Sequence, residues 1–277
     1  MNTPPGSLPK NDNPEGNARG GRSFAGHFVE FCMAGKTKER FMDSKTLMAT
    51  VTGEPFQPVR LHYELRDLPG LEKAFRRLRC VQRDAPRGRW VWLYDHEAKA
   101  LPLQKRYRDL PRHLRPVVLG SFYVRGQDQL LLDVRSCERA EAAVPFFDRH
   151  IPRAVAKVIN ADIVNQLFES DPNLTPESLF DREKTAERDP EAMIAVVRES
   201  VAQIADPQEK LRVGLEVLEA DARRPLPKIE RFPVHFYEDG LGGFVLAMKL
   251  RQMVAMQHWL GHTEYNLNDV MQLVLGK

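Results

Sequence analysis

Cysteine is scarce in this sequence: Cys32, Cys80 and Cys137 lie far apart, and no C-x-x-C pair occurs. An odd count at such spacing speaks against a secreted disulfide framework and against a zinc site built from cysteine pairs, so a reducing, cytoplasmic setting is expected. Long apolar runs are missing as well. No stretch of about 18 uninterrupted apolar residues is present, so no membrane span is expected. Residues Met1 to Arg22 lack the apolar segment of a signal peptide, and export by that route is not expected either. Those 22 residues hold four Pro, four Gly and four Asn and almost no large apolar side chain. Such a stretch does not repay the entropy of ordering and is read as a disordered tail. No G-x-S-x-G elbow occurs, and no period of about 20 to 50 residues recurs.

What is present is an ordinary folding composition. Of 277 residues, 42% are hydrophobic and 29% charged, a balance that supports a sizeable core in one large domain or two smaller ones. The net charge of +3 hides an asymmetry. Arg60 to Arg115 holds 15 Lys and Arg against 7 Asp and Glu, whereas Ala161 to Arg224 holds 8 against 15. Local potential, more than the total, draws in a polyanion. Two halves that neutralise each other within one fold would show the same asymmetry.

From Ser23 to Arg135 the pattern is mainly that of strands. Val59, Leu61, Tyr63 and Leu65 alternate with Arg60, His62, Glu64 and Arg66, which predicts a strand with one wet face. Asp67 caps a helix carrying Leu68, Leu71, Phe75 and Leu78 on one side. Arg89 to Asp95 has apolar groups on both faces and reads as an interior strand. Pro116 to Val124 and Leu130 to Arg135 read as a hairpin in which Gly126 supplies a positive φ. Ser136 caps a helix that Pro145 kinks or shortens, and Ala154 to Phe168 fits strand or helix.

After Asp171 a capping residue precedes proline three times, at Thr175-Pro176, Asp189-Pro190 and Asp206-Pro207, which predicts three helices. The last two form an acidic helical hairpin. Phe232 to Glu238 reads as a strand, Gly243 to Leu260 as a buried helix stopped by Gly261, and Leu267 to Leu275 as a final helix capped by Asn266. The expected architecture is α+β. A tail at 1–22 leads into a basic, strand-rich domain at 23–170, with an antiparallel or mixed sheet and two or more helices. A mainly helical region at 171–277 packs on it.

Candidate sites are few. Asp95-His96-Glu97-Ala98-Lys99 follows an apolar strand, and an acid and a lysine two residues apart can share a metal-bound phosphate. Glu97 and Lys99 resemble the E-x-K half of the PD-(D/E)xK nuclease motif. That resemblance implies metal-dependent phosphodiester cleavage, with Glu97 and Lys99 catalytic and Asp95 and Glu97 on the metal. It covers three residues, and Glu64, Asp67 and Asp84 are equal candidates for the missing upstream acid. A charged turn between strands is the preferred reading.

His235, Tyr237, Glu238 and Asp239 supply metal-type donors, but on a strand Glu238 points away from His235. Gly240-Leu241-Gly242-Gly243 has the outline of a phosphate loop without a Walker lysine, and the acids before it repel phosphate. Leu260-Gly261-His262 resembles the LGH box of tyrosine recombinases. Met271 stands where that family's nucleophile is expected and Glu238 where its H-x-x-R arginine is, so the reading is set aside. Cys32 and Cys80 flank apolar segments and are read as buried small hydrophobes.

The strongest signal is the basic segment. Arg76, Arg77, Arg79, Arg83, Arg87, Arg89, Lys105, Arg106 and Arg108, with Arg112 and Arg115, are interleaved with Trp90, Trp92, Tyr94 and Tyr107. Guanidinium and aromatic surface together suit phosphates and unstacked bases. The leading expectation is a non-catalytic protein that binds RNA or DNA without a cofactor. The alternatives are the metal-dependent nuclease and an interaction subunit that offers its acidic helices, 172–224, to a basic protein.

Overall fold

The computed structural model describes residues 45–171, 173–181 and 184–275. The tail expected at 1–22 and the role expected for Cys32 lie outside them. The described residues form one compact unit. Among the described residues eight strands make a single sheet: β1 (Val59–Leu65), β2 (Val81–Asp84), β3 (Arg89–Tyr94), β4 (Val117–Arg125), β5 (Gln129–Val134), β6 (Ala156–Val164), β7 (Thr185–Glu187) and β8 (Ile229–Pro233). Their order is β2-β3-β4-β5-β1-β6-β8-β7. Every neighbouring pair is antiparallel except β7 and β8, so the sheet is mixed. The fold is α+β.

One face of the sheet carries the main core. Val59, Leu61, Tyr63 and Leu65 of β1 meet Trp92, Phe122, Leu130, Leu132 and Val134 from its neighbours. Two helices cover this face, α1 (Leu68–Arg77) and α2 (Cys137–His150). α1 begins where Asp67 accepts the Gly70 N–H and buries Leu71, Ala74 and Phe75; α2 begins where Ser136 accepts the Arg139 N–H. Pro145 does not shorten α2, which continues to His150. The packing of Phe146 and Phe147 against Trp92, with ring centroids 5.5 and 4.9 Å away, holds the helix through the hydrogen bond that proline removes. Gly120 has a separate reason to be glycine. A Cβ there would come within 2.8 Å of the Asp133 carbonyl oxygen on the paired strand.

The ambiguous segment at 154–168 is strand, because β6 completes the pairing of β1 on the side opposite β5. The second half of the chain returns to the sheet through β7 and β8. Phe232 to Glu238 is not one strand: β8 ends at Pro233, His235 takes φ 47°, and a one-turn helix α6 (Phe236–Asp239) follows. Proline's missing N–H and the left-handed residue stop the ladder there.

The proline-led helices occur where the caps place them. They are α3 (Pro176–Phe180), α4 (Pro190–Val201) and α5 (Pro207–Ala222), with Thr175, Asp189 and Asp206 each accepting a backbone N–H of the first turn. α7 (Gly242–Trp259) buries Phe244, Met248, Val254 and Ala255, but it is not buried all round, since Leu246 is 57% exposed. Gly261 at φ 98° follows its end. α8 (Leu267–Leu275) starts with reciprocal bonds between Asn266 and Asp269.

Candidate nucleic-acid interface and the charged ladder of the sheet

The basic residues collect at the β2 edge of the sheet and on the loop between β3 and β4. Arg76 and Arg77 lie in the last turn of α1, where a positive side chain complements the helix dipole. Arg79, Arg83 and Arg87 follow on the exposed turn and edge strand. Lys105, Arg106 and Arg108 are exposed on the loop, which is tied down where the Lys105 N–H reaches the Thr52 carbonyl at 2.8 Å. Arg115 braces the loop through the carbonyl oxygens of Arg108 and Leu110.

Several of these cations are neutralised locally. Arg76 pairs with Glu72, Arg87 with Asp84 and Arg108 with Asp109. Among the described residues Arg77, Arg79, Arg83, Lys105 and Arg106 have no carboxylate partner. Of the candidate arginines only Arg89 reaches the acidic second half, 3.6 Å from Glu177. The carboxylates of α5 pair on their own helix or with Arg188 and Arg224.

The aromatic residues of the segment belong mostly to the core. Trp92 and Tyr94 are fully buried and Trp90 is 7% exposed, so none offers an open ring face to a base. The Arg83 guanidinium lies over Trp90 at 3.9 Å. Tyr107 is half-buried between Lys99 and Arg115, whose charges lie 4.6 and 4.9 Å from its ring centre. Alternation along β3 reveals a face but not what covers it; here α1 and α2 do.

Glu97 and Lys99 lie on a 3-10 turn, His96–Ala100, which Asp95 caps after β3. Residues two apart on such a turn point about 240° apart, so Glu97 and Lys99 do not share a face. Asp95 accepts the His96 N–H and pairs with Lys99 at 2.8 Å, and that lysine hydrogen bond holds its carboxyl below the usual range. Glu97 accepts the Cys80 N–H at 3.0 Å. Burial works to raise its carboxyl, and backbone N–H groups outweigh it. No three His, Cys, Asp or Glu side chains come together to hold a metal among the described residues. Cys80 and Cys137 are free and buried, and burial pushes the Cys80 thiol up to about 12. Tyr237 is taken up by packing, since its hydroxyl accepts the Val158 N–H and its ring lies under Arg153 and Lys157, while His235 is exposed on the turn before it.

The second face of the sheet holds a feature that strand alternation alone did not expose. The face expected to be wet on β1 is covered at Arg60, which is only 5% exposed, while Glu64 and Arg66 at its far end stay about half exposed. Ser121, Asp133, Arg60, Asp162, Arg231 and Glu187 stand directly opposite one another on β4, β5, β1, β6, β8 and β7. From Asp133 onward their signs alternate across five strands. Arg60 grips Asp133 through two bonds of 2.6 and 2.8 Å, and Arg231 grips Asp162 at 2.6 and 2.9 Å with His62 alongside at 2.9 Å. Burial pushes the Asp133 carboxyl up against the pull of Arg60. At Asp162 burial also acts to raise it, but Arg231 and His62 together hold it below the usual range.

α3 lies on this face. Phe180 packs under the Arg60 guanidinium at 4.7 Å, and Glu177 accepts from the Tyr123 hydroxyl. A cleft of about 230 Å³ remains between α3 and the sheet, lined by Arg60, Tyr123, Arg125, Leu131, Glu177 and Asp181. Arg60 and Asp133 are 73 positions apart in the sequence and Asp162 and Arg231 are 69, so only register brings them together.

Comparison with protein-family models, curated proteins and solved structures finds no match to this chain. No helix among the described residues is long and apolar enough to cross a membrane.

Proposed function

We propose that this protein binds nucleic acid by its backbone, through the basic corner at α1 and β2 and the adjoining basic loop. The observation that carries the reading is the set of exposed cations without a carboxylate partner among the described residues: Arg77, Arg79, Arg83, Lys105 and Arg106. Arginines left unneutralised on a turn and an edge strand suit phosphate oxygens, and their attraction needs no base contact. Burial of Trp92 and Tyr94 shifts the mode from base stacking to charge, so little sequence preference is expected. Binding occurs without chemistry in this reading.

The test is an equilibrium titration of the protein with fluorescent single-stranded RNA and duplex DNA at several salt concentrations. The logarithm of the affinity should fall linearly with the logarithm of the salt concentration. The triple charge reversal Arg77→Glu, Arg79→Glu, Arg83→Glu should weaken binding at least tenfold and flatten that slope. Absence of binding at low salt, or an unaltered slope in the variant, overturns the reading.

A further inference from the structure

The α4–α5 hairpin buries very little of itself. Every residue of α4 is described and none is buried, and α5 buries only Gly214 and Ala222. Their mutual contact runs through Gly214, where a Cβ would meet the Val197 and Val201 methyls at 3.5 and 4.0 Å. The larger apolar side chains are left outside. Leu211, Leu215 and Leu218 are 65%, 49% and 44% exposed, and Ile194 on α4 is 42% exposed. Scattered exposed leucines need no explanation, but these three recur at intervals of four and three, the spacing of a coiled-coil seam. Ala222 continues that seam and is already covered by Val254, Leu267 and Val270, so the open part runs from Leu211 to Leu218.

The seam lies about 40 to 100° around α5 from the Gly214 side that meets α4, by the helical angle of about 100° per residue. That is the disposition of a helix with two neighbours in a four-helix bundle, one of which is absent here. The charges beside the seam indicate which helix would take the place. Arg212 and Glu219 flank it on the same side, one near each end of the open stretch. In an antiparallel pair of α5 helices crossing at Leu215, Arg212 of each copy falls opposite Glu219 of the other. From Asp206 to Arg224, Lys210, Arg212, Arg223 and Arg224 nearly balance Asp206, Glu209, Glu216, Glu219 and Asp221, so α5 itself carries little net charge to repel a second copy. A strongly basic partner gains no comparable advantage from it.

We propose that the α4–α5 hairpin is a self-association surface through which two copies of this chain form an antiparallel four-helix bundle about a two-fold axis near Leu215. The arrangement is self-complementary in both respects an isologous interface requires: the leucines meet leucines, and Arg212 meets Glu219. The inference is independent of the nucleic-acid reading, because it uses neither the basic corner nor the sheet.

The experiment is sedimentation equilibrium of the full chain across micromolar concentrations, with four variants. The unaltered protein should be a dimer. Leu215→Lys should be monomeric while keeping the far-UV spectrum of the unaltered chain, since the side chain is half in solvent in a single copy. Arg212→Glu and Glu219→Arg should each weaken the dimer at least tenfold, and the two together should restore it. In a separate arm, Leu215→Cys should give a disulfide-linked dimer on mild oxidation, and Ser200→Cys should not. A monomer at every concentration overturns the proposal. So does a dimer indifferent to Leu215→Lys, or a double charge swap no better than the single ones.

Discussion

The central sheet and the α4–α5 hairpin are built from similar proportions of apolar residues and dispose of them in opposite ways. In the sheet, Leu61, Leu119, Phe122, Leu130, Leu132 and Trp92 are lost to solvent completely, and charged side chains such as Arg60 and Asp133 are buried with them. In the hairpin the leucines face water, and the ordering comes from caps and ion pairs within a turn or two. Asp189 and Asp206 cap the helices, and Arg212 bridges Glu209 and Glu216. The sheet is therefore held by long-range burial that no single local signal specifies. The hairpin is held by local signals and leaves its apolar surface free for contact.

The comparison can be broken most forcefully at the buried pair. Arg60→Leu leaves the Asp133 carboxylate unpaired at 2% exposure and should cost about 3 to 5 kcal/mol. The double variant Arg60→Leu, Asp133→Leu should recover most of that loss. Urea unfolding reads both, and a single variant as stable as the double would show that the ladder carries no such penalty.

A second test uses pH at the interface of α2 and α7, where Lys249 lies 3.5 Å from Glu138 and 3.3 Å from Glu141. Burial pushes the Glu141 carboxyl up to about 7 from an ordinary 4.5, and Lys249 only partly opposes it. The folded state therefore holds this proton more tightly than the unfolded chain. Its contribution is complete below about 4.5 and is lost as pH rises through about 7. The loss is on the order of 3 kcal/mol, at 1.36 kcal/mol for each pH unit of displacement. Glu141→Gln should flatten the decline in stability between pH 5 and 8. An unchanged slope in that variant would place the titration elsewhere.

In the hairpin the effects should be smaller. Asp206→Ala removes the acceptor for the Glu209 N–H and should cost about 1 kcal/mol, seen as faster amide exchange in the first turn of α5. Leu211→Lys, at the most exposed of the leucines, should change the stability of a monomer by less than about 0.5 kcal/mol. A loss of several kcal/mol there would mean that the leucine is buried in the state that unfolds, as it would be inside the dimer.

Much of the secondary structure was legible because its causes are local. Asp67, Ser136, Thr175, Asp189, Asp206 and Asn266 all cap the helices that their positions before an apolar or proline-led run announce. The hairpin at Gly126, with φ 66°, was legible for the same reason. The exposed cations of the candidate interface were readable as a charge excess, since Arg76, Arg77 and Arg79 lie on the polar side of a helix and in the turn after it. The covering of each sheet face was not readable. Arg60 and His62 look like a solvent-facing edge of β1 until α3 arrives from more than a hundred residues away; Trp90 and Trp92 look available until α1 and α2 settle over them, and Tyr94 until the loop after β3 brings Tyr107 against it.

Alternation, caps and turn residues by themselves determined which segments become strands and helices, because each depends on neighbours within a few positions. Only the tertiary structure decided that β1 stands between β5 and β6 and that β8 and β7 extend the same sheet. It also decided that six polar residues from six strands align into one ladder, four of the five charges among them held in two bidentate pairs whose carboxylates are buried. Those outcomes depend on strand register and on which surface is desolvated, and both are properties of the assembled sheet.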